Sequence, residues 1–370
     1  MTSLTFQENC RAICSQAIEN AITLDHAFQS TQGLFPTLAI EYFHEYAPAK
    51  TISLQSAAVS DPNITQSVER SSFIRSNWDF TDNAIAKIFD QALMKERPIC
   101  LLGCPSLVPP ITKTSARNNS VLFDLFSPEN TDDAISTFVF DINQLTGDEL
   151  EGQFSSCFLD PPWYVADYLH WITVASRFCE MGGQISFSLF GALTRPSAVD
   201  DRKTILKHCE QIGLEVQIIP ECLEYRVPTF EAAMLCRAGL PVVVWKKSDL
   251  VICTKSTKHK STSKSVVGRT PLIRRFILDK LGIEIVIDRN DTTTANLIEP
   301  PQSGFWLDTP SKRSSLANNS NVFTSNGAAL TSYRPFDLAK TISNLEGQGS
   351  GAVKQKLQHL GIPDEVLDWG

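Results

Sequence analysis

Short, continuous apolar runs alternate with helical stretches between residues 98 and 253, and this alternation constrains the fold more than any other feature of the sequence. The runs predict buried strands at 99–103, 120–126, 137–143, 155–163, 184–191, 215–221, 231–237 and 241–246. Helical periodicity predicts helices at 81–95, with Thr81 as N-cap, and at 164–181 and 197–212. Because uninterrupted apolar strands that alternate with helices are typical of a sheet covered on both faces, we predict an α/β three-layer sandwich.

The segments on either side of this pattern differ from it in composition. Apolar positions at helical spacing predict a helical N-terminal extension over 1–72, before an α/β domain at 73–253. Residues 254–270 carry five basic side chains and no acidic one, which indicates either a solvated linker or a mobile arm that contacts a polynucleotide. A C-terminal extension follows at 271–370, and its part at 311–351 is rich in Ser, Asn and Gly and is predicted to be flexible.

Charge and cysteine usage narrow the class of protein. The net charge of −8 argues against a chain that coats nucleic acid by bulk charge, although a local basic patch stays possible. Ten cysteines show neither a CxxC pair nor a Cys/His ladder, so we predict reduced thiols and no metal site. No apolar run is long enough to span a bilayer. We therefore expect a cytoplasmic protein without a membrane partner.

The string Asp160-Pro161-Pro162-Trp163 directly follows one of the predicted strands, and ligands bind beyond the carboxyl ends of strands in open α/β sheets. An exocyclic amine is a poor nucleophile because its lone pair is delocalised into the ring. The Asp160 carboxylate and the Pro161 carbonyl can accept hydrogen bonds from its two N–H groups and stabilise the positive nitrogen of a methyl-transfer transition state. Trp163 or Tyr164 can stack on a flat base. The alternative is a strand that ends at a proline turn with a capping aspartate.

A second candidate segment, Gly103-Cys104-Pro105-Ser106, follows the first predicted strand. Glycine at this position would let the backbone approach a bound cofactor closely. No second glycine completes the usual GxG pattern, so an ordinary strand-to-helix turn is the alternative interpretation.

Polar side chains also lie near the ends of the next two predicted strands. Asp124 follows the second strand, where an acid can accept hydrogen bonds from ribose hydroxyls. Asp141 and Asn143 lie where an adenine amino group could be recognised. The alternative for each acid is a helix cap, but together with Asp160 they mark the ends of three consecutive strands.

Tyr225 and Arg226 lie between late predicted strands, where loops of such a sheet face the substrate. Arg226 could contact a phosphate and Tyr225 could stack on a base, whereas a reverse turn with packed aromatic residues is the alternative. His170 and Trp171, in the helix after Asp160, are expected to be packing or surface residues.

The blocks SNWDFTDNAIAKIF, ICLLGCPSL, SVLFDLF, TFVFDIN and CFLDPPWY occur in the same order as in the N6-adenine methyltransferase family, which the chain resembles over about 76–190. That family includes elongation-factor lysine methyltransferases and a ribosomal-RNA adenine methyltransferase with zinc-knuckle domains. Trp163 stands where the family often has Phe or Tyr, and the zinc-binding cysteine set is missing. The resemblance implies a Rossmann-like class I methyltransferase sheet and S-adenosylmethionine as cofactor.

The resemblance also implies roles for the quoted segments. Residues 160–163 would form the acceptor site, whereas residues 103–106, Asp124 and Asp141 would line the cofactor, and Trp78-Asp79-Phe80 would help close over it. The predicted activity is methylation of an exocyclic amine, with adenine N6 in RNA or DNA as the first choice. A protein lysine methyltransferase and an inactive scaffold with a methyltransferase fold are the alternatives.

Overall fold

The computed structural model describes most of the chain, in two compact units. The described residues are 5–55, 72–74, 78–94, 96–125, 135–256, 272–278, 281–287, 297–301, 304–307, 314–345 and 347–367. The first unit comprises Met1–Ala57, Trp78–Arg226 and Val243–Arg269, and the second comprises Ala58–Asn77, Val227–Val242 and Thr270–Gly370. Within the described part of the chain, no helix combines the length and the apolar character needed to cross a bilayer.

A seven-stranded sheet forms the centre of the first unit. Its strands are β1 Ile99–Leu102, β2 Val121–Asp124, β3 Ser136–Val139, β4 Phe154–Leu159, β5 Cys179–Phe190, β6 Leu214–Glu224 and β7 Lys247–Lys255. They are ordered β3-β2-β1-β4-β5-β7-β6, and all neighbouring strands are parallel except that β7 runs antiparallel to β5 and β6. This order, with one antiparallel strand inserted before the last, is that of the Rossmann-like class I methyltransferase fold. The predicted fold class is confirmed.

Helices accompany this sheet and precede it in the chain. They are α1 Phe6–Asn20, α2 Leu24–Gln29, α3 Pro36–Tyr46, α4 Pro48–Gln55, α5 Asp82–Gln91, α6 Val108–Ile111, α7 Val165–Phe178 and α8 Ala198–Gln211. The hydroxyl of Thr81 accepts a hydrogen bond from the Ala84 N–H at 3.3 Å, so the predicted N-cap of α5 is confirmed.

Strand β1 shows why the sheet needs cover on both faces. All four of its residues are fully buried, and successive side chains point to opposite faces. Cys100 and Leu102 pack in the cluster that contains α7, whereas Ile99 and Leu101 pack in the cluster that contains α5. A continuous apolar strand therefore lies between two helical layers, as its sequence predicts.

The prediction fails for the last two strands. Residues 231–237 lie in helix α9, Thr229–Arg237, and 241–246 contain no strand, whereas the last strand of the sheet is β7. A short apolar run is compatible with either a buried strand or a buried helix. Ala, Met and Leu are strong helix formers, and Gly239 at φ +68° follows the helix as its terminator.

The second unit is built on a four-stranded antiparallel sheet. Its strands, in the order β11-β10-β9-β8, are β8 Leu272–Leu278, β9 Leu281–Ile287, β10 Val322–Thr324 and β11 Ala329–Leu330. Besides α9, its helices are α10 Ser315–Asn318, α11 Pro335–Ser343, α12 Ser350–His359 and α13 Asp364–Leu367.

The segment 311–351, which is predicted to be flexible, contains secondary structure in its described residues. Strands β10 and β11 and helix α11 lie within this segment because Val322, Leu330, Leu338 and Ile342 are buried in one apolar cluster. Most of the predicted basic linker, from 257 onward, lies outside the described residues.

Candidate active site

Backbone hydrogen bonds bring the predicted site segments together at the carboxyl edge of the first unit's sheet. Asp160 follows β4, and its N–H donates to the Leu102 carbonyl at the end of β1 at 3.1 Å. Gly103 N–H donates to the Phe123 carbonyl near the end of β2 at 2.8 Å. Asp124 is the last residue of β2 and is buried. Gly103, Asp124 and Asp160 therefore share one edge, as the strand pattern predicts.

The Asp160 carboxyl group is held by two hydroxyl groups. Its Oδ1 atom accepts a short hydrogen bond from Ser188 in β5 and a second one, at 2.9 Å, from the phenol of Tyr225. The Ser248 hydroxyl in β7 donates to the Tyr225 oxygen at 3.3 Å. Burial raises the pKa of Asp160 to about 6, although both hydrogen bonds and the charge of Lys246 act to lower it. The carboxylate is thus ionised at neutral pH but has a disfavoured charge.

The raised pKa of Asp160 means that the ionised carboxylate destabilises the folded state. Above pH 6 the Asp160 carboxyl group is charged in both the folded and the unfolded state. The rise of its pKa from 3.8 to about 6 on folding then lowers the free energy of unfolding by roughly 2–3 kcal/mol. This loss vanishes below pH 4, where the group is protonated in both states. We expect Asp160→Asn, which keeps the Oδ1 acceptor, to be more stable than the wild type at pH 8, by an amount that shrinks at pH 5. Denaturant unfolding at both pH values measures it.

The matched control is Asp200→Asn, because the Asp200 side chain is 85% exposed and pairs only with Lys203 among the salt bridges of the described residues. It should change stability by less than about 0.5 kcal/mol at either pH. An equal effect of Asp160→Asn at both pH values would contradict the raised pKa.

Three aromatic rings surround a lysine next to this carboxylate. The Lys246 Nζ atom lies 4.1 Å from the ring centroid of Trp78, 4.0 Å from that of Trp163 and 5.2 Å from that of Tyr225. The planes of Trp78 and Trp163 are inclined by 90° and 74° to that of Tyr225. We call Trp78, Trp163 and Tyr225 the aromatic cage.

Two residues proposed for substrate contacts have other partners in the structure. Tyr225 is 1% exposed, packs on Phe80 at 4.8 Å and has the Lys246 ammonium over its ring, so no open face is left for stacking on a base while Lys246 is in place. The Arg226 guanidinium forms an ion pair with Asp82 at 2.6 Å. Tyr164 precedes α7, and its N–H donates to the Pro162 carbonyl at 2.6 Å, which leaves the predicted stacking role of its partly exposed ring open.

The glycine turn after β1 is a tight junction. Gly103 has φ +68°, and a Cβ atom there would lie 2.9 Å from Trp171 Cζ3. Cys104 is 1% exposed and its thiol faces the Leu102 carbonyl at 3.0 Å, so its side chain lies in the core and only its backbone can reach a cofactor. Pro105 and Ser106 begin a short 3-10 helix.

The polar residues after β3 form a local network. The Asp141 carboxylate accepts from the Asn143 N–H at 3.0 Å and caps a 3-10 helix, so the alternative interpretation as a helix cap applies to Asp141. The Asn143 carbonyl oxygen accepts from Trp171 Nε1 at 3.0 Å. Trp171 is therefore a packing residue, as predicted, that joins the Gly103 turn to Asn143.

Phe80 does not lie open to a cofactor. It is 1% exposed and packs against Phe158 and Tyr225, with ring centroids 5.9 and 4.8 Å away. The Phe80 side chain therefore does not close over a cofactor, as the resemblance implied, but forms part of the core beneath the aromatic cage.

Sequence reasoning missed three polar residues at this site: Ser188, Ser248 and Lys246. Ser186 and Ser188 alternate with apolar residues in β5, and a hydroxyl on a buried strand is a signal for a polar partner. Nothing local marks Ser248 or Lys246, because the contact depends on the antiparallel pairing of β7 with β5.

Comparisons with known proteins identify no family, since no family model and no curated protein match the chain. One similar solved structure is a branched-chain polyamine synthase from Thermus thermophilus with N4-aminopropylspermidine and 5′-methylthioadenosine. The identity is 12%, the match covers 70% of this chain and 91% of that one, and the TM-score is 0.49. A tRNA (m1A58) methyltransferase from Aquifex aeolicus matches at 16% identity, 52% and 76% coverage and a TM-score of 0.33. These values carry no argument about substrate, and membership in the N6-adenine methyltransferase family stays a prediction.

Proposed function

We propose that the chain binds S-adenosylmethionine and methylates an amine nitrogen beside Asp160. The observation that carries this proposal is a carboxylate at the carboxyl edge of a class I methyltransferase sheet, fixed at one oxygen by Ser188 and Tyr225. A fixed acceptor aimed where positive charge develops stabilises the transition state without reorganising.

The residues at this edge fit the proposed cofactor. Asp124, at the end of β2, would accept hydrogen bonds from ribose hydroxyls, and the turn at Gly103 would bring backbone atoms close to it. Asn143, whose side-chain oxygen is held by Trp171 Nε1, would help to hold the adenine. When bound, S-adenosylmethionine would supply an electrophilic methyl group: an N–CH₃ bond would form as the S–CH₃ bond breaks, the sulfonium would become a neutral thioether, and the methylated nitrogen would release its excess proton to solvent.

The chain's own residues would orient the attacking nitrogen. The Asp160 carboxylate and the Pro161 carbonyl would accept hydrogen bonds from the N–H groups of this nitrogen. Its lone pair would then point away from these two acceptors. Although burial raises the pKa of Asp160 to about 6, the carboxylate is ionised at neutral pH and favours the positive charge that the nitrogen gains.

Two acceptors fit this chemistry. Adenine N6 in RNA or DNA is supported by the Asp160-Pro161-Pro162-Trp163 string and the exposed part of Trp163. A lysine-like amine is supported by the aromatic cage, whose three rings already surround one ammonium group.

Incubation with labelled S-adenosylmethionine tests the proposal against total RNA, genomic DNA, cell-extract protein and a small-amine fraction in separate reactions. Label that enters one fraction and is lost with Asp160→Ala supports it, and the labelled fraction identifies the acceptor. No cofactor binding by calorimetry, together with no label in any fraction, would leave an inactive scaffold with a methyltransferase fold.

Tyr225→Phe should shift the pH dependence of the reaction. The variant removes a hydrogen bond that lowers the pKa of Asp160, so that pKa rises further above 6. We expect the acid limb of the log kcat against pH profile to move to higher pH, with a larger loss of rate at pH 6 than at pH 8. Tyr46→Phe, at a residue that is 42% exposed, is the control. An equal loss at both pH values would contradict this prediction.

A further inference from the structure

We infer that the aromatic cage is the binding site for an alkylammonium substrate and that the Lys246 side chain occupies the place of that substrate in the structure. This inference rests on the proposed function and names its substrate class: an aliphatic amine cation, either a free amine or the side chain of a lysine.

The rings are arranged around a point charge. The faces of Trp78, Trp163 and Tyr225 all lie within 5.2 Å of one Nζ atom, inside the range of about 6 Å over which a ring face attracts a cation. The planes of Trp78 and Trp163 are both steeply inclined to that of Tyr225, so ring faces approach the Nζ atom from more than one direction. Ring faces that converge on one charged atom are the arrangement that binds an ammonium group.

The cage and the reaction carboxylate share a residue. The Tyr225 ring forms one side of the cage, and its hydroxyl donates to Asp160 Oδ1 at 2.9 Å. The charge of the Lys246 ammonium acts directly on Asp160. An alkylammonium in the cage would therefore lie beside a carboxylate that accepts a hydrogen bond from its N–H group. The ammonium would lose a proton to this carboxylate before attack, and the carboxylate would then release the proton to solvent.

The occupant of the cage has a fixed backbone and a flexible side chain. The Lys246 carbonyl accepts from the Tyr225 N–H at 3.1 Å, next to the start of β7, so the main chain is anchored. Its side chain is partly exposed and carries the ammonium on a four-carbon stem with several rotatable bonds. Rotation of this stem would vacate the cage, and Lys246 would then act as an internal competitor of the substrate.

Removal of this competitor should strengthen binding of an amine cation. We expect Lys246→Ala to bind spermidine or Nα-acetyl-lysine amide at least about tenfold more tightly than the wild type by calorimetry, without any need for turnover. Lys246→Arg, which retains a cation, should show no such gain. Adenosine is the neutral probe, and its affinity for Lys246→Ala should stay within about twofold of its affinity for the wild type.

The two amine probes distinguish a free amine from a peptide lysine, and Lys246→Ala combined with Trp163→Leu should lose the gain. Unchanged amine affinity in Lys246→Ala would overturn the inference, and so would an equal gain for adenosine, since the substitution would then only open space. Transfer of label to adenine without tighter amine binding would refute the inference and leave the proposed function intact. Tighter amine binding without transfer to any acceptor would contradict the proposed function alone.

Discussion

Asp160→Ala is expected to lower the rate of methyl transfer by about 100- to 1,000-fold while S-adenosylmethionine binds with nearly unchanged affinity. Loss of one preorganised hydrogen-bonding group at a reaction centre has an effect of this size. The substitution removes the acceptor that Ser188 and Tyr225 hold in place, and with it the charge beside the attacking nitrogen. Because the proposed cofactor residues lie at the ends of β1 and β2, their backbone bonds should persist. Single-turnover rates and calorimetry measure the two effects separately.

Asp160→Asn separates the role of charge from that of geometry. It keeps an oxygen acceptor for both hydroxyl groups but removes the negative charge, so its rate should lie between those of the wild type and Asp160→Ala. Asp200→Ala is the matched control, since that carboxylate is exposed on α8. A rate for Asp160→Ala within tenfold of the wild type, in a protein that still binds the cofactor, would show that another group orients the amine.

The position of Asp160 could be predicted from the sequence because it depends on local features. An apolar run predicts β4, two prolines end it, and a carboxylate at that point lies at the ligand edge of the sheet. The side chains that donate hydrogen bonds to Asp160 could not be predicted in the same way. Tyr225 and Ser188 reach it through the pairing of β5, β7 and β6, and the sequence pattern missed β7, because it predicted strands at 231–237 and 241–246 instead.

Lys246 shows the same limit at a single residue. The pattern places it at the end of a predicted strand, 241–246, whereas it lies just before β7 with its side chain among three rings. The rings come from Trp78, Trp163 and Tyr225, which are distant in sequence, so no spacing rule connects them. The prediction of flexibility for 311–351 rests on average composition. That average is polar and conceals buried positions such as Val322 and Leu338 in the second unit.

Gly103→Ala is expected to destabilise the protein by about 2–5 kcal/mol and to weaken S-adenosylmethionine binding at least about tenfold. An L-residue at φ +68° costs about 1–2 kcal/mol, and crowding in a packed core adds about 1–3 kcal/mol. The new Cβ atom would lie 2.9 Å from Trp171 Cζ3 and 3.4 Å from the Asp160 carbonyl oxygen. Trp171 cannot move away without straining its hydrogen bond to Asn143. Thermal unfolding and cofactor titration measure the two losses.

Gly182→Ala and Trp171→Leu divide this cost into its parts. Gly182 has φ +76° with no atom within 4 Å of a Cβ position, so Gly182→Ala reports backbone strain without a clash. Trp171→Leu removes the ring atoms that the Gly103 methyl group would meet. If the clash dominates, Gly103→Ala with Trp171→Leu should be more stable than the sum of the single effects predicts, by about 1–2 kcal/mol. Additive effects, with Gly103→Ala no worse than Gly182→Ala, would show that the junction tolerates a side chain and that Gly103 serves only the backbone angle.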